Sequence, residues 1–409
     1  MSETILESSK SRLSVVFTGG GTGGHLYPAL ALAKALKRQA PDARILFIGT
    51  ARLEAEKVPA EGFPIRIISV RGLAGSWKSP KGLLRKLTSA ALLGLGIPIW
   101  QSLAILRKFK PNIVVGTGGY VCGPVILAAR LLKIPSMSVE QNVYPGLTTR
   151  ALARLVNAAA LICDESVAHY PTPHGLFSRP GLPRLVVTGN PIREEILKAK
   201  REDGLAAFSL SPERQTVFVC GGSLGSPLIN RTFLEALETL ADEHWFRSGV
   251  QIIHMTGRPK SAADTIPELG ERARRAKLRY HVFPYLDNMP LALAAADLVI
   301  SRGGGTTIAE LTARGLPAII IPWAGAANDE QYHNSRPLSR AGGAIVMKED
   351  EFTTGRLISD LRNLLQNPDR LRAMSAAARA LGHPDAVEKI LALMQELATP
   401  NKALQQPAS

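Results

Sequence analysis

Short apolar runs alternate with amphipathic stretches along the chain, and the alternation pauses and restarts near the middle. In the first half the runs are Leu13–Thr18, Arg44–Gly49, Ile65–Val70, Asn112–Thr117, Ile134–Val139 and Ala160–Asp164, with Arg184–Pro191 after them. Such brief, mainly apolar segments bounded by turn residues read as buried strands. Between several of them, Tyr27–Arg38 and Val125–Leu132 carry apolar residues at helical spacing. A polar stretch from Lys198 to Arg214 follows, and then Thr216–Gly225, a helix through Asn230–Leu240, Val250–Gly257, Tyr280–Tyr285, Ala296–Gly305 and Pro317–Trp323 repeat the pattern. This βαβ alternation predicts an α/β protein of two facing, Rossmann-like, doubly wound domains. The domains are expected at residues 11–189 and 190–375, with the boundary close to Asn190. The segment 376–398 ends in an amphipathic helix, Pro384–Ala398, expected to pack back on the N-terminal domain, and 399–409 reads as a loose tail. Sheets of this kind bind ligands outside the carboxyl ends of their strands, so the active site is expected in the interdomain cleft.

A chain of 409 residues with 45% apolar composition has enough material for two cores. Three cysteines, Cys122, Cys163 and Cys220, lie scattered without metal or redox spacing, which fits a reducing compartment. The N-terminus shows no secretory pattern. The formal charge is +15, and it is unevenly placed. From Gly62 to Val139 there is no Asp or Glu, while Arg66, Arg71, Lys78, Lys81, Arg85, Lys86, Arg107, Lys108, Lys110, Arg130 and Lys133 are all basic. Within that region the uncharged run Leu87–Leu106 has the length of a membrane span. Gly94, Gly96, Pro98 and Gln101 interrupt it, and a strand follows almost at once. The preferred reading is a peripheral surface, with Trp77 and Trp100 interleaved among basic residues, that rests on an anionic membrane; a buried helix lying near basic residues is the alternative.

Glycine-rich turns occur four times, at Gly19–Gly24, Gly116–Pro124, Gly221–Ser226 and Ser301–Glu310. Gly19, Gly21 and Gly24 match the dinucleotide fingerprint between a strand and a helix. That fingerprint also needs an acid at the end of the second strand for the ribose, and here Gly49, Thr50 and Ala51 stand there, with Glu54 further on. A nicotinamide or flavin dinucleotide is therefore disfavoured. What remains is the physics of the turn: backbone that approaches closely, and amides at a helix start that face an anion. Four such turns suggest that several phosphates are held.

The segments "GGGTGGHLYPALALA", "GTGGYVCGP", "EQNVYPGLTTR", "TGNPIR", "GGSLGS", "SRGGGTTIAEL" and "DEQYHNS" stand in the order and spacing of the MurG family of N-acetylglucosaminyltransferases, which this chain resembles from about Leu13 to Ala398. The resemblance implies a GT-B fold, with an N-terminal domain facing acceptor and membrane and a C-terminal domain binding UDP-GlcNAc. It implies inverting transfer of GlcNAc from UDP-GlcNAc to the 4-hydroxyl of the muramoyl-pentapeptide carried on undecaprenyl diphosphate, in peptidoglycan synthesis. The implied setting is the cytoplasmic face of the inner membrane, bound peripherally, with cell-wall synthesis proteins as partners, no nucleic acid, no cofactor and no metal.

Donor contacts carry over to Thr22, Gly23, Gly24, Asn142, Arg193, Ser223, Leu286, Gly305, Thr306, Thr307, Ile308, Ala309, Glu310 and Gln331. The residue chemistry agrees with most of them. Glu310 stands in the first turns of a helix behind three glycines, where a carboxylate can accept both ribose hydroxyls; a carboxylate that merely favours the helix dipole is the plainer alternative. Ser223 and Arg193 suit a diphosphate leaving group, and Gln331 and Asn334, three apart, suit sugar hydroxyls. The chain has no Asp-x-Asp pair, so helix dipoles and Arg193 are expected to offset the charge on the diphosphate. His25 is the first candidate base, because imidazole titrates near neutrality, and it could equally cap the helix or bind the acceptor diphosphate as a cation. Glu140 is the second candidate, with a buried carboxylate organising its loop as the alternative. Three positions depart from the family pattern: Val139 before "EQN", where histidine is frequent, Leu224 in "GGSLG", and Thr306 in place of an apolar residue. Three other readings compete: a sugar-nucleotide 2-epimerase, a glycosyltransferase acting on another lipid, and a non-enzymatic basic membrane or nucleic-acid binder.

Overall fold

The computed structural model describes residues 12–21, 23–70, 96–170, 183–222, 224–257 and 278–399. The chain forms two compact units. One comprises the chain up to Gln141, Pro145–Thr188 and the residues from Val387 on; the other comprises Asn142–Tyr144 and Gly189–Ala386.

The first unit is built on a seven-stranded sheet: β1 (Ser14–Thr18), β2 (Arg44–Gly49), β3 (Ile65–Ile67), β4 (Ile113–Gly116), β5 (Ser136–Val139), β6 (Ala158–Leu161) and β7 (Arg184–Val187), in the order β3-β2-β1-β4-β5-β6-β7. Its described pairings are all parallel. A parallel sheet buries both faces, which is why β1 reads as the unbroken run SVVFT rather than as an alternation. Val15 and Phe17 point into one core layer, shared with the helix Gly23–Gln39 and with Ile390, Leu391, Leu393 and Met394 of the C-terminal helix Ala386–Ala398. Val16, between them, points to the other layer, against Leu103, Leu106, Val125 and Ile126.

The second unit repeats the plan with six strands: β8 (Gln215–Cys220), β9 (Val250–Met255), β10 (Arg279–Phe283), β11 (Leu298–Ser301), β12 (Ala318–Ile320) and β13 (Ala344–Val346), ordered β10-β9-β8-β11-β12-β13. Its strands also run parallel. Phe218 and Cys220 enter one layer and Val217 and Val219 the other. Both sheets are α/β and doubly wound, as the alternation of the sequence predicts.

Two differences from the sequence reading have physical causes. The strand expected at Ala160–Asp164 lies two residues earlier, at Ala158–Leu161. Its first residues are alanines, which carry no β-branched signal, yet they are fully buried and pair with Met137 and Ser138. The strand β13 was not expected at all; it is a three-residue edge strand, too short for its period to stand out.

The long apolar run is described from Gly96 on. A helix, Ile97–Phe109, starts at Gly96 in the left-handed region with Pro98 in its first turn, and Ser102, Leu103 and Leu106 form its buried face. Ile97 and Trp100 are 53% and 66% exposed, which leaves an apolar edge outside the core. Trp77, Lys78, Lys81, Arg85 and Lys86 lie outside the described residues. Among the described residues no helix is long and apolar enough to cross a membrane.

Candidate active site

Each sheet reverses its strand order once, between β1 and β4 in the first unit and between β8 and β11 in the second. Neighbouring strands there send their connections to opposite faces, which opens a crevice at their carboxyl ends. The four glycine-rich turns of the sequence follow these four strands, so they meet in two pairs.

In the first unit the turn after β1 and the turn after β4 are pressed together. A Cβ on Gly119 (φ +81°) would overlap the carbonyl of Gly20, and one on Gly19 would overlap the hydroxyl of Thr117. These contacts require glycine, and they explain a spacing that resembles a dinucleotide fingerprint. Beneath the turn lies Glu54, buried, with Oε1 accepting from the Thr50 amide at 2.9 Å and the Thr50 hydroxyl at 2.5 Å, and Oε2 accepting from the Gly21 amide at 3.3 Å. The acid nearest the end of β2 therefore braces the turn from inside and occupies one of its amides. Gly23, Gly24 and His25 open the helix Gly23–Gln39, whose first turn carries no acidic residue, so its leading amides keep their affinity for an anion.

His25 is held from the opposite turn. Its Nδ1 stands 3.1 Å from the Thr117 carbonyl and 2.9 Å from Gln141 Oε1, while its backbone carbonyl accepts from the Thr117 hydroxyl at 2.8 Å. Gly118 (φ +102°) makes room for the ring, since a Cβ there would come within 2.5 Å of Nδ1. Glu140 is 2% exposed; its Oε1 accepts from the Gln141 amide at 2.9 Å and its Oε2 from the Gly146 amide at 3.2 Å. That carboxylate shapes the loop after β5.

In the second unit Arg302, directly after β11, ties the two glycine turns together. It donates to the Ser226 hydroxyl at 2.7 Å and the Ile321 carbonyl at 3.1 Å, and forms an ion pair with Glu349 at 2.6 Å. Ser226 in turn caps the helix Pro227–Leu240 by accepting from the Ile229 amide, and Pro227 pre-sets the first helical turn. Gly303 packs under the first turn of the helix Glu330–Arg340, where a Cβ would overlap the Gln331 carbonyl and the Ser335 hydroxyl.

The helix Gly305–Arg314 starts behind Gly304 and ends on Gly315 in the left-handed region. Helical side chains lean back toward the N-terminus, so Glu310 lies along the turn that holds Gly305, Thr306, Thr307, Ile308 and Ala309. Its Oε1 is 3.3 Å from a guanidinium nitrogen of Arg193. Burial raises the Glu310 carboxyl above the usual carboxylate range, and Arg193 pulls it back. The two residues read separately from the sequence are thus partners, 117 positions apart.

Leu286 is buried after β10. Gln331 Oε1 accepts from the Trp323 amide at 3.0 Å, which leaves its NH₂ group to act as a donor. Asn334 is committed to the protein: it donates to Asn142 Oδ1 at 2.9 Å and to the Gly303 carbonyl at 3.3 Å, and accepts from the Val143 amide at 2.8 Å. The sugar contact expected of Asn334 gives way to a structural role, and Asn142 is seated in the second unit by that bond. Thr306 Oγ1 is buried with no hydrogen-bond partner among the described residues. Thr22 and Ser223 lie outside the described residues.

Sequence reasoning passed over Gln141, Arg302 and a buried network behind the turn of β8. His254 lies with Nδ1 2.6 Å from the Tyr280 hydroxyl and Nε2 3.0 Å from Asn230 Oδ1, and Asn230 donates to the Thr256 carbonyl at 2.9 Å. Burial lowers His254 to about 3, so it is neutral at working pH. Burial also pushes the thiols of Cys122 and Cys220 up to about 12, which removes both as nucleophiles. The signal for Arg302 was present in "SRGGG", where it precedes the turn.

Residues 15–161 match the Glycosyltransferase family 28 N-terminal domain, and residues 216–390 match the Glycosyltransferase family 28 C-terminal domain. The chain is 40% identical over 389 residues to the UDP-N-acetylglucosamine–N-acetylmuramyl-(pentapeptide) pyrophosphoryl-undecaprenol N-acetylglucosamine transferase of Halothermothrix orenii, covering 94% of this chain and 99% of that protein. Among solved structures it is similar to Acinetobacter baumannii MurG, with a TM-score of 0.69 and 26% identity over 94% of this chain and 99% of the other. The UDP-GlcNAc 2-epimerase of Neisseria meningitidis, solved with UDP-GlcNAc bound, shares the fold at a TM-score of 0.63 and 14% identity over 94% of this chain and 100% of the other.

Proposed function

Because the chain belongs to glycosyltransferase family 28, and within it to the MurG line of N-acetylglucosaminyltransferases, we propose that it moves GlcNAc from UDP-GlcNAc to the 4-hydroxyl of the muramoyl-pentapeptide on undecaprenyl diphosphate. The observation that carries the site assignment is the pairing of Glu310 with Arg193 at the glycine turn of β11. Glu310 is buried, so hydroxyls of a ribose that reach its carboxylate displace little water, and the Arg193 guanidinium favours its charged, accepting form. Arg193 then turns to the diphosphate, while the amides of Gly305–Ala309 and the NH₂ group of Gln331 hold the rest of the donor. Leu286, Ser223 and Asn142 complete that set, and Thr22, Gly23 and Gly24 carry over from the family as further donor contacts.

The reaction is one displacement with inversion. The muramoyl 4-oxygen attacks the anomeric carbon, the bond from that carbon to the diphosphate oxygen breaks, UDP leaves, and the hydroxyl proton passes to His25. Nε2 of His25 is the receiving atom, since Nδ1 faces Thr117 and Gln141. Glu140 organises the loop that carries Gln141. The first unit serves the acceptor, and the exposed Ile97 and Trp100, on the helix whose last turn carries Arg107 and Lys108, suit the anionic inner surface of the cell membrane, where the lipid acceptor resides. The deciding experiment measures UDP release from UDP-GlcNAc with and without a muramoyl-diphosphoprenyl acceptor. Acceptor-dependent release is expected; conversion to the 2-epimer without acceptor would overturn the reading.

A further inference from the structure

Among the described residues His25 has two polar neighbours on one ring nitrogen and none on the other. Thr117 presents a backbone carbonyl, 3.1 Å from Nδ1, which can only accept. Gln141 could in principle turn either end of its amide toward the ring. Its Nε2, however, donates to the Val139 carbonyl at 2.6 Å. Exchanging the two ends would set Oε1 against that carbonyl, two acceptors in contact inside a buried pocket where Gln141 is 3% exposed. The Val139 carbonyl therefore fixes the amide, the amide oxygen faces His25, and both neighbours of Nδ1 are acceptors. A neutral imidazole carries one proton, and two acceptors on Nδ1 place it there.

We propose that Gln141, with the Thr117 carbonyl, is a positioning residue that locks His25 in the Nδ1–H tautomer and so keeps the Nε2 lone pair ready for the acceptor hydroxyl proton. The proposal rests on the reading of His25 as the base. Its chemistry differs from that of a histidine oriented by a carboxylate. A neutral amide sets tautomer and ring orientation without adding a charge that holds the imidazolium, so the proton taken up in one turnover is released before the next. Gly118 is part of the device, because any side chain there would displace the ring from both acceptors. The ionisable groups on the surrounding elements are Glu140, held by the amides of Gln141 and Gly146; Glu54, held under the turn by Thr50 and Gly21; Tyr120 and Cys122 after β4; and Tyr27 on the helix of His25 itself.

The test uses the full-length protein labelled with ¹⁵N in its imidazole rings, the His25 signals being assigned by difference against His25→Gln. At a pH above the titration, wild type is expected to show a protonated Nδ1 and an unprotonated Nε2. This measurement needs no Gln141 variant to fold, and an Nε2–H tautomer in wild type would overturn the proposal. Gln141→Leu should mix the two tautomers and lower kcat by roughly 10–100-fold, the scale of a misplaced catalytic group, with donor KM unchanged. Gln141→Glu places a carboxylate against Nδ1–H and should move the acidic limb of kcat/KM upward by about one to three pH units, with activity returning at higher pH. An unshifted limb, or a Gln141→Leu protein with wild-type kcat and a single tautomer, would reject the role of Gln141. The base reading is separable: if His25→Ala keeps its kcat while wild type shows the Nδ1–H tautomer, the base assignment fails and the lock alone stands.

Discussion

The two units fill one topological position with opposite electrostatics. In the first, the glycine turn after β1 is braced by a buried carboxylate, Glu54, which takes the Gly21 amide, and the loop after β5 by another, Glu140, which takes the amides of Gln141 and Gly146. In the second, the brace is a cation, Arg302, which binds a hydroxyl, a carbonyl and Glu349 and takes no turn amide. An acid under a turn lowers its affinity for phosphate, whereas a guanidinium raises it. The sheet order alone does not say which turn holds the diphosphate of the donor; the bracing residues favour the second unit. The same contrast appears in two histidines. His254 has both ring nitrogens engaged, by Tyr280 and Asn230, so its imidazole serves as a strut. Among the described residues His25 has acceptors on Nδ1 only, and Nε2 remains for chemistry.

The largest effect should come from breaking that second contrast. His25→Ala is expected to lower kcat by about 10²–10⁴-fold, the usual contribution of a general base. A fall confined to acceptor affinity would instead make His25 a cationic anchor for the acceptor diphosphate. The pH dependence separates the two, since a base gives a kcat/KM that rises with pH through the imidazole titration and an anchor gives one that falls. A variant with wild-type kcat and acceptor KM would reject both roles.

Next in size is the charge difference between the units. The acid-free stretch Gly62–Val139 belongs to the first unit. Reversing Lys81, Arg85 and Lys86 together should weaken binding to anionic vesicles by about 3 kcal/mol or more, at about 1 kcal/mol per basic residue near the surface. Activity on a water-soluble acceptor should persist. Flotation that responds neither to the triple change nor to added salt would count against a peripheral basic surface.

The donor side is sharpened by Glu310→Ala. Loss of a charge-assisted contact to the ribose should cost roughly 1.5–3 kcal/mol, one to two decades in UDP-GlcNAc affinity, measured by calorimetry. His25→Ala should leave that affinity in place. Equal loss of donor affinity in both variants would erase the distinction drawn between the units.

How much of this was legible in the sequence follows from the range of each signal. The glycine turns, the strands they follow and Glu310 behind "GGG" are local patterns, and the structure has them as read. The partners are not local. Gln141 lies 116 positions from His25 and Arg193 lies 117 from Glu310, so only the folded sheets bring them into contact. Asn334 misled for the same reason: its spacing from Gln331 is that of a shared helix face, but its amide is engaged by the distant loop Asn142–Val143 and by the Gly303 carbonyl. Glu54 was noticed only as an acid too far along to meet a ribose. One of its partners, the Gly21 amide, sits in the very turn whose fingerprint was in question.

The smallest effect tests the strut. His254 is depressed by burial from an ordinary 6.5 to about 3, so the folded chain keeps it neutral where the unfolded chain would protonate it. Its contribution to stability is fully present above pH 6.5 and is lost progressively as pH falls toward about 3, because the unfolded state then binds a proton that the folded state refuses. Between neutral pH and about pH 5 this single group should remove about 2 kcal/mol of stability, at 1.36 kcal/mol per unit below the unfolded value. His254→Gln is expected to be less stable than wild type at neutral pH, since an amide does not reproduce both bonds to Tyr280 and Asn230. Its denaturation midpoint should nevertheless fall less steeply with acid, so the gap between the two proteins narrows by that amount. Parallel midpoints for the two proteins across this range would mean that His254 is not buried neutral, and the contrast with His25 would lose its second member.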